Sequence, residues 1–310
     1  MTPVVLDAGL TRELQVSFPL DISLTLSVHR RGGGDPAYRL DAVGSVWRTS
    51  LTPDGPGTLR ISITSRHAVV SGRAWGPGAG WLLDALPAQV GFHDDRSEFT
   101  ARHPIVSQLA LRYDAMRVGR SGRVFEALVP AVLEQKVVGR EAHRAWRYLL
   151  LKFGEVAPGP APDGMRVFPA PETWARIPSW EWHKAGVEDV RARTIVTAAA
   201  VAARLERILD LDPAEADRRL ISIPGIGPWT SAEIKQRAMG DPDAVSVGDY
   251  HLPRVVGWTL ARRITDDEGM LRLLAPYTGH RHRVTRLIEL GGIHPPRRGP
   301  RMPVRDYRAF

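Results

Sequence analysis

Between Leu220 and Ala232 the chain reads Leu-Ile-Ser-Ile-Pro-Gly-Ile-Gly-Pro-Trp-Thr-Ser-Ala, a stretch that constrains the fold more than any other. Ahead of it, Asp212, Pro213 and Glu215 have the order of a helix start: an N-cap, a proline at the first helical position and an acid in the first turn. Gly225 and Gly227 then end that helix and reverse the chain around one aliphatic residue, Ile226, and the next helix is expected from about Trp229. Two glycines in so short a hairpin permit positive φ and leave backbone N–H groups without side-chain cover. The positive end of the second helix adds to the same place, so the segment is suited to close contact with a phosphate oxygen.

A loop with glycine and proline follows, Gly240-Asp241-Pro242-Asp243, and then Val245-Ser246-Val247-Gly248-Asp249-Tyr250-His251-Leu252-Pro253, which sets Asp249 20 residues beyond Trp229. An aspartate between a glycine and a helix has an ordinary use as an N-cap, here for a helix from Tyr250. Behind a phosphate-gripping hairpin it has a second one. There a fixed carboxylate can stabilise positive charge that develops beside it and orient or deprotonate a water.

The hairpin, the Gly/Pro loop and the aspartate at this spacing together resemble the helix-hairpin-helix DNA glycosylase superfamily. The likeness covers residues 125–256, including Phe125-Glu126-Ala127-Leu128, Leu133-Glu134-Gln135-Lys136-Val137 and Phe168-Pro169-Ala170-Pro171. Within the superfamily it is similar to the bacterial 3-methyladenine glycosylases of alkylation repair, which also place a sheet-rich unit before the helical body.

Elsewhere the pattern fits that order. Leu14, Val16, Phe18, Leu20, Ile22, Leu24, Leu26 and Val28 alternate with mostly polar neighbours, and Leu59, Ile61 and Ile63 repeat the alternation, as strands do. Gly32–Pro36 and Pro53–Gly57 read as turns, and a helix around Trp81–Ala88 is expected to cover one sheet face. From about Pro104 the periodicity is helical, with helices expected over 124–135, 141–153, 187–209, the hairpin pair, 250–261, 267–274 and 279–290 and a surface loop over 154–171. The expected fold is α+β: an N-terminal antiparallel sheet domain over 1–98 and an all-α glycosylase domain over 99–310, whose two helical subdomains enclose the lesion pocket.

The 310 residues carry a formal charge of +8, which favours a polyanionic partner, and the excess is nearly all arginine. The chain has no cysteine, which excludes disulfides, cysteine-ligated zinc and iron–sulfur clusters within it. No signal-like start or bilayer-length apolar run is legible, so a cytoplasmic, nucleoid-associated monomer with no membrane contact is expected. No metal-ligand spacing involves His251, His280 or His282. Arg281, Arg283, Arg286, Arg297, Arg298, Arg301, Arg305 and Arg308 make the C-terminal end basic, as a backbone-tracking patch or a solubilising tail.

The resemblance assigns roles residue by residue. It implies Asp249 as the catalytic carboxylate, Trp229 as an aromatic of the base pocket, and Pro224, Gly225, Ile226, Gly227 and Thr230 as the DNA-binding hairpin. Gln135 and Lys136 fall at its wedge loop, where leucine is common and lysine departs from the pattern; a solvated helix end is the plain alternative. Glu233 and Arg286 stand where further pocket aromatics are expected. Bifunctional relatives have a lysine where this chain has Trp229, and tryptophan forms no Schiff base. The implied activity is therefore monofunctional removal of alkylated purines such as 3-methyladenine from double-stranded DNA by base flipping, with no cofactor beyond a structural monovalent cation at the hairpin carbonyls. Excision of uracil or hypoxanthine stands as an alternative, as does a non-catalytic damage-sensing DNA binder.

Overall fold

Five antiparallel strands form one sheet in the order β1-β5-β4-β3-β2: β1 (Leu10–Gln15), β2 (Tyr38–Leu40), β3 (Val46–Thr52), β4 (Gly55–Ile63) and β5 (Val69–Trp75). The computed structural model describes residues 9–64 and 69–296, so Arg297, Arg298, Arg301, Arg305 and Arg308 of the basic C-terminal end lie outside the described residues. The helix Ala79–Gln89 lies across the sheet and buries Leu82, Leu83 and Leu86 against Leu59, Ile61 and Val70. At the β3–β4 hairpin Thr52 pairs with Gly55, so the turn is Pro53-Asp54 and the expected turn residues Pro56 and Gly57 belong to β4.

The long alternation from Leu14 to Val28 does not make one strand. β1 ends at Gln15, and Ile22–Leu26 is a short helix. Asp21 decides this: its Oδ1 accepts from the backbone N–H groups of Ser23 at 2.9 Å and Leu24 at 3.0 Å, a side-chain cap that commits the next residues to helix. The buried set is then Ile22, Thr25 and Leu26, a three-and-four spacing that alternation hides over so few residues.

Among the helices of the body, Val124–Leu133, Gly139–Phe153, Leu252–Ala261, Asp267–Leu274 and Arg281–Gly291 lie close to their expected places. The helix Val124–Leu133 starts where the Glu206 carboxylate accepts from Val124 N–H at 2.8 Å and Phe125 N–H at 3.0 Å. The stretch expected to be one helix over 187–209 is divided into Asp189–Ala200, Ala202–Glu206 and a terminal 3₁₀ turn, Arg207–Asp210. Pro104–Arg112, Pro171–Arg176 and Ser179–Ala185 are further helices, each with a proline at or just before its start.

The 154–171 segment is not merely a surface loop. Val156 bridges to Arg166, and Ala157 and Met165 are buried against Trp47 and Trp75, whose rings stack 5.5 Å apart. Those two tryptophans need apolar cover on the sheet face away from the Ala79–Gln89 helix, and the segment supplies it.

The helical body has two apolar cores. One gathers Leu128, Val132, Leu149, Trp174, Ile195, Leu220, Ile226 and Ile234; the other gathers Val106, Val256, Met270, Leu274, Val284 and Ile288. Polar contacts tie the sheet to this body: the Glu126 carboxylate accepts from Ser50 Oγ at 2.6 Å, and Arg31 pairs with Glu134 at 3.1 Å. Burial pushes the Glu126 carboxyl up, opposed by Arg48.

Arg281, Arg283 and Arg286 do not form a free basic patch. Arg281 meets Asp243 through its Nε at 2.9 Å, Arg286 meets Glu289 at 3.2 Å, and Arg283, 1% exposed, donates from Nη1 to Asp94 Oδ2 at 2.9 Å. Asp94 also accepts from Val118 N–H at 2.9 Å, so it pins the segment leading out of the sheet unit to the second core. Asp94→Ala leaves Arg283 buried without its counter-charge and is expected to cost about 3–5 kcal/mol, read as a lower urea midpoint at unchanged slope; an unchanged midpoint would contradict the role assigned to the pair.

Candidate active site

The hairpin forms as its sequence predicts. Asp212 Oδ1 accepts from Ala214 N–H and Glu215 N–H at 3.0 Å each, capping the helix Pro213–Ile221. The second helix runs Pro228–Ile234 from Gly227 as N-cap and continues as a π-helical segment, Lys235–Met239. Gly225 has φ +89°, and a Cβ there would lie 2.0 Å from Thr194 Oγ1. Gly227 differs from the expectation of positive φ: its φ is −106°, and a Cβ would meet nothing within 4 Å. One glycine is thus demanded by the chain's own packing, whereas the protein itself would tolerate a side chain at the other.

Pro224 and Gly225 are exposed, and Ile226 is buried in the first helical core. Ile226 N–H donates to Ile223 C=O at 3.0 Å, but the N–H groups of Gly225, Gly227, Trp229 and Thr230 donate to no protein acceptor among the described residues. Thr230 is 2% exposed, and its hydroxyl accepts from Gln135 Nε2 at 2.8 Å. The same Nε2 donates to Gly225 C=O at 2.9 Å. Gln135, which the resemblance sets at a wedge, here braces the hairpin. Lys136 is exposed with φ +55°, a left-handed conformation uncommon for a residue with a side chain.

Asp249 and Trp229 come together. Trp229 Nε1 donates to Asp249 Oδ2 at 3.0 Å, while Asp249 Oδ1 accepts from His251 N–H at 2.7 Å and Leu252 N–H at 2.8 Å. The aspartate therefore caps the helix Leu252–Ala261, two residues later than expected, with one oxygen and keeps the other toward the hairpin. Gly248 has φ +92°, and its N–H donates to both oxygens of Asp267 at 3.1 Å, which fixes the turn that presents Asp249. Tyr250, 76% exposed, stands next to it with its ring at 87° to His251, an aromatic the motif reading passes over.

Glu233 and Arg286 are held in polar contacts. Glu233 pairs with Arg237 at 2.7 Å and accepts from Ser246 Oγ at 2.6 Å; Arg286 Nη2 donates to Ser27 Oγ at 2.6 Å. Gln236 Nε2 reaches Ser246 Oγ at 3.0 Å and Ala244 C=O at 2.9 Å. His282 is buried beside these groups; burial, with Arg237 next, pulls its pKa down to about 3, so its imidazole is neutral. The three other lysines are paired, Lys152 and Lys184 with Glu181 and Lys235 with Asp217 and Asp241. Among the described residues no group of three or more His, Asp or Glu side chains is arranged to hold a metal ion.

No protein-family model matches the chain. Among solved structures, a 3-methyladenine DNA glycosylase from Archaeoglobus fulgidus superposes with a TM-score of 0.74 over 91% of this chain and 98% of that one, at 17% identity. The 8-oxoguanine glycosylase/lyase of Clostridium acetobutylicum, in complex with double-stranded DNA containing cytosine opposite 8-oxoguanine, does so at 0.68 over 91% and 97%, at 12% identity. The chain shares the fold of these two structures: an antiparallel sheet unit followed by a helical body that carries the hairpin. In sequence, the chain is similar to the probable bifunctional transcriptional activator/DNA repair enzyme AlkA of Mycobacterium tuberculosis, strains CDC 1551 and H37Rv, 33% identical over 138 residues. The match takes in 44% of this chain and 27% of the relative, so it spans about a quarter of the curated proteins' length.

The two glycines separate experimentally. Gly225→Ala is expected to lower stability by about 1–3 kcal/mol without any DNA present, through strain at positive φ and contact with Thr194. Gly227→Ala is expected to leave thermal unfolding within error and to weaken DNA binding alone. Equal DNA affinity for wild type and Gly227→Ala would remove that amide from the interface.

Proposed function

We propose that this chain is a monofunctional DNA glycosylase that hydrolyses the N-glycosidic bond of alkylated purines in double-stranded DNA. The observation that carries the reading is the Trp229 Nε1–Asp249 Oδ2 bond, which joins the hairpin helix to the capped carboxylate across 20 residues of sequence. The hairpin amides of Gly225, Gly227, Trp229 and Thr230 hold the phosphate 3′ of the lesion, with Pro224 and Gly225 at the exposed tip. The damaged nucleotide leaves the stack and enters beside Trp229, whose face stacks on an electron-poor base. Lys136 fills or flanks the space left in the duplex.

As the C1′–N bond breaks, its electron pair leaves with the base, and Asp249 stabilises the oxocarbenium-like sugar. A water then bonds to C1′ through its oxygen and gives up a proton with Asp249 as the base, leaving an abasic site. An alkylated purine carries positive charge before cleavage and needs no strong general acid to depart. Trp229 supplies no amine where bifunctional relatives have a lysine, and Lys152, Lys184 and Lys235 are engaged in ion pairs. Double-stranded DNA is the partner, and a monomer acting in the cytoplasm on the nucleoid is the setting this reading supports.

A second reading, excision of a base such as uracil or hypoxanthine, is favoured by one observation. Glu233, at a position where an aromatic is expected, is hydrogen-bonded to Ser246 and Arg237, and such polar groups suit a neutral base with donors and acceptors on its edge.

Asp249→Asn keeps the helix cap and removes the charge. Single-turnover base release from methylated duplex is expected to fall by about 10²-fold or more, with duplex affinity equal or tighter. Uracil and hypoxanthine duplexes run alongside assign the lesion. Wild-type rates in Asp249→Asn would sink the catalytic assignment.

A further inference from the structure

Away from the hairpin and Asp249, a cleft of about 450 Å³ is lined by Arg31, the glycines 32–34, Arg140, His143, Arg144 and Arg147. We propose that this cleft is a second DNA-backbone site, which takes phosphodiester groups of the duplex held at the hairpin.

Four guanidinium groups and an imidazole face one space. Arg140, His143, Arg144 and Arg147 recur at three-and-four spacing on the helix Gly139–Phe153, whose other face buries Ala142, Ala145, Trp146 and Leu149. An ordinary solvated helix face interleaves acids with such cations at these spacings. Here Arg140, Arg144 and Arg147 have no ion-pair partner among the described residues, and Arg144 Nε is buried without a hydrogen bond. Glu134, at the edge, is already engaged by Arg31 at 3.1 Å and lies 3.9 Å from His143 Nε2. The cleft therefore keeps an unbalanced positive charge at close range, a cost that an anion removes.

The opposite wall is built for close approach. The N–H groups of Gly32, Gly33 and Gly34 donate to no protein acceptor among the described residues. Gly32 has φ +77°, and a Cβ on Gly33 would meet nothing within 4 Å. Asp35 fixes this loop against the helix: it accepts from Arg31 N–H at 2.6 Å, Ala37 N–H at 2.9 Å and Trp146 Nε1 at 2.8 Å. Free backbone amides opposite an arginine row are the donor set that phosphate oxygens match.

Continuity with the hairpin identifies whose phosphates these are. Gln135 reaches Gly225 and Thr230; its chain neighbour Glu134 holds Arg31; Arg31 opens the cleft. The exposed Lys136 follows Gln135 in the chain and comes three residues before the arginine helix starts at Gly139. This chain of contacts makes the backbone of a duplex held at the hairpin the occupant proposed for the cleft, whereas a free phosphate has no such connection.

The proposal rests on the hairpin face binding DNA, and the test keeps the two apart by reading affinity rather than turnover. Anisotropy titrations of a methylated and an undamaged duplex, in the Asp249→Asn background, compare the parent with Arg140→Gln/Arg147→Gln and with Gly33→Glu, which adds a carboxylate where there is room. Both variants are expected to melt as the parent does and to bind roughly tenfold more weakly at low salt. The slope of log affinity against log salt is expected to fall by about 1 for each phosphate that the variant no longer neutralises. Parental affinity and slope in both folded variants would overturn the cleft while leaving the hairpin reading intact, and so would saturation by inorganic phosphate with no effect of either variant on DNA. No DNA binding by the parent would instead overturn the glycosylase reading on which the cleft depends.

Discussion

The candidate site depends on one hydrogen bond, Trp229 Nε1 to Asp249 Oδ2 at 3.0 Å. It joins a helix rooted in the first apolar core to a turn rooted in the second, so the relative placement of the two cores sets the geometry of the site. Each partner is fixed from behind. Trp229 rides on a helix entered through Gly227, and Asp249 follows Gly248 at positive φ and spends its other oxygen on two backbone N–H groups. A carboxylate held this way needs little reorganisation when positive charge appears beside it, and this gives a preorganised site its advantage over water.

Several ion pairs lie in the interior. Arg283 with Asp94, Glu233 with Arg237, and Arg31 with Glu134 are pairs with little exposure, and His282 stays neutral among arginines. Such pairs cost desolvation and return specificity of arrangement more than stability. Arg283–Asp94 and Arg31–Glu134 join segments far apart in the chain, whereas Glu233–Arg237 is one helical turn apart and reaches across through Arg237 Nε, which donates to Val28 C=O at 3.0 Å. The overall positive charge is consequently not spread evenly. Arg281, Arg283 and Arg286 are spent on internal pairing, whereas Arg140, Arg144 and Arg147 have no ion-pair partner among the described residues.

Much of this was legible in the sequence for local reasons. Asp212-Pro213 marks a helix start through a cap and a fixed φ, the Gly225–Gly227 reversal follows from backbone sterics, and the helices of the body follow from their periodicity. What was not legible depended on partners far away. Leu20 to Val28 alternates like a strand, and only the Asp21 cap turns it into a helix. Arg283 looks like surface charge until Asp94, 189 residues away, is seen to neutralise it. Gln135 reads as part of an inserted loop, but its amide is spent on Gly225 and Thr230. Arg140, Arg144 and Arg147 carry no sequence motif, and their meaning needs the Gly32–Gly34 loop that folds against them.

The fold is shared by structures of 3-methyladenine and 8-oxoguanine enzymes, so architecture alone does not assign the chemistry proposed for Asp249 and Trp229. The most direct measurement is to incubate the wild-type protein with methylated duplex, identify the released base by mass, and run the DNA strand before and after alkali, with borohydride present in a parallel sample. A monofunctional glycosylase yields free alkylated purine, an uncut strand until alkali is added, and no borohydride-trapped adduct. Strand cleavage with a trapped adduct would contradict the monofunctional mechanism, and absence of any released base would contradict the enzyme.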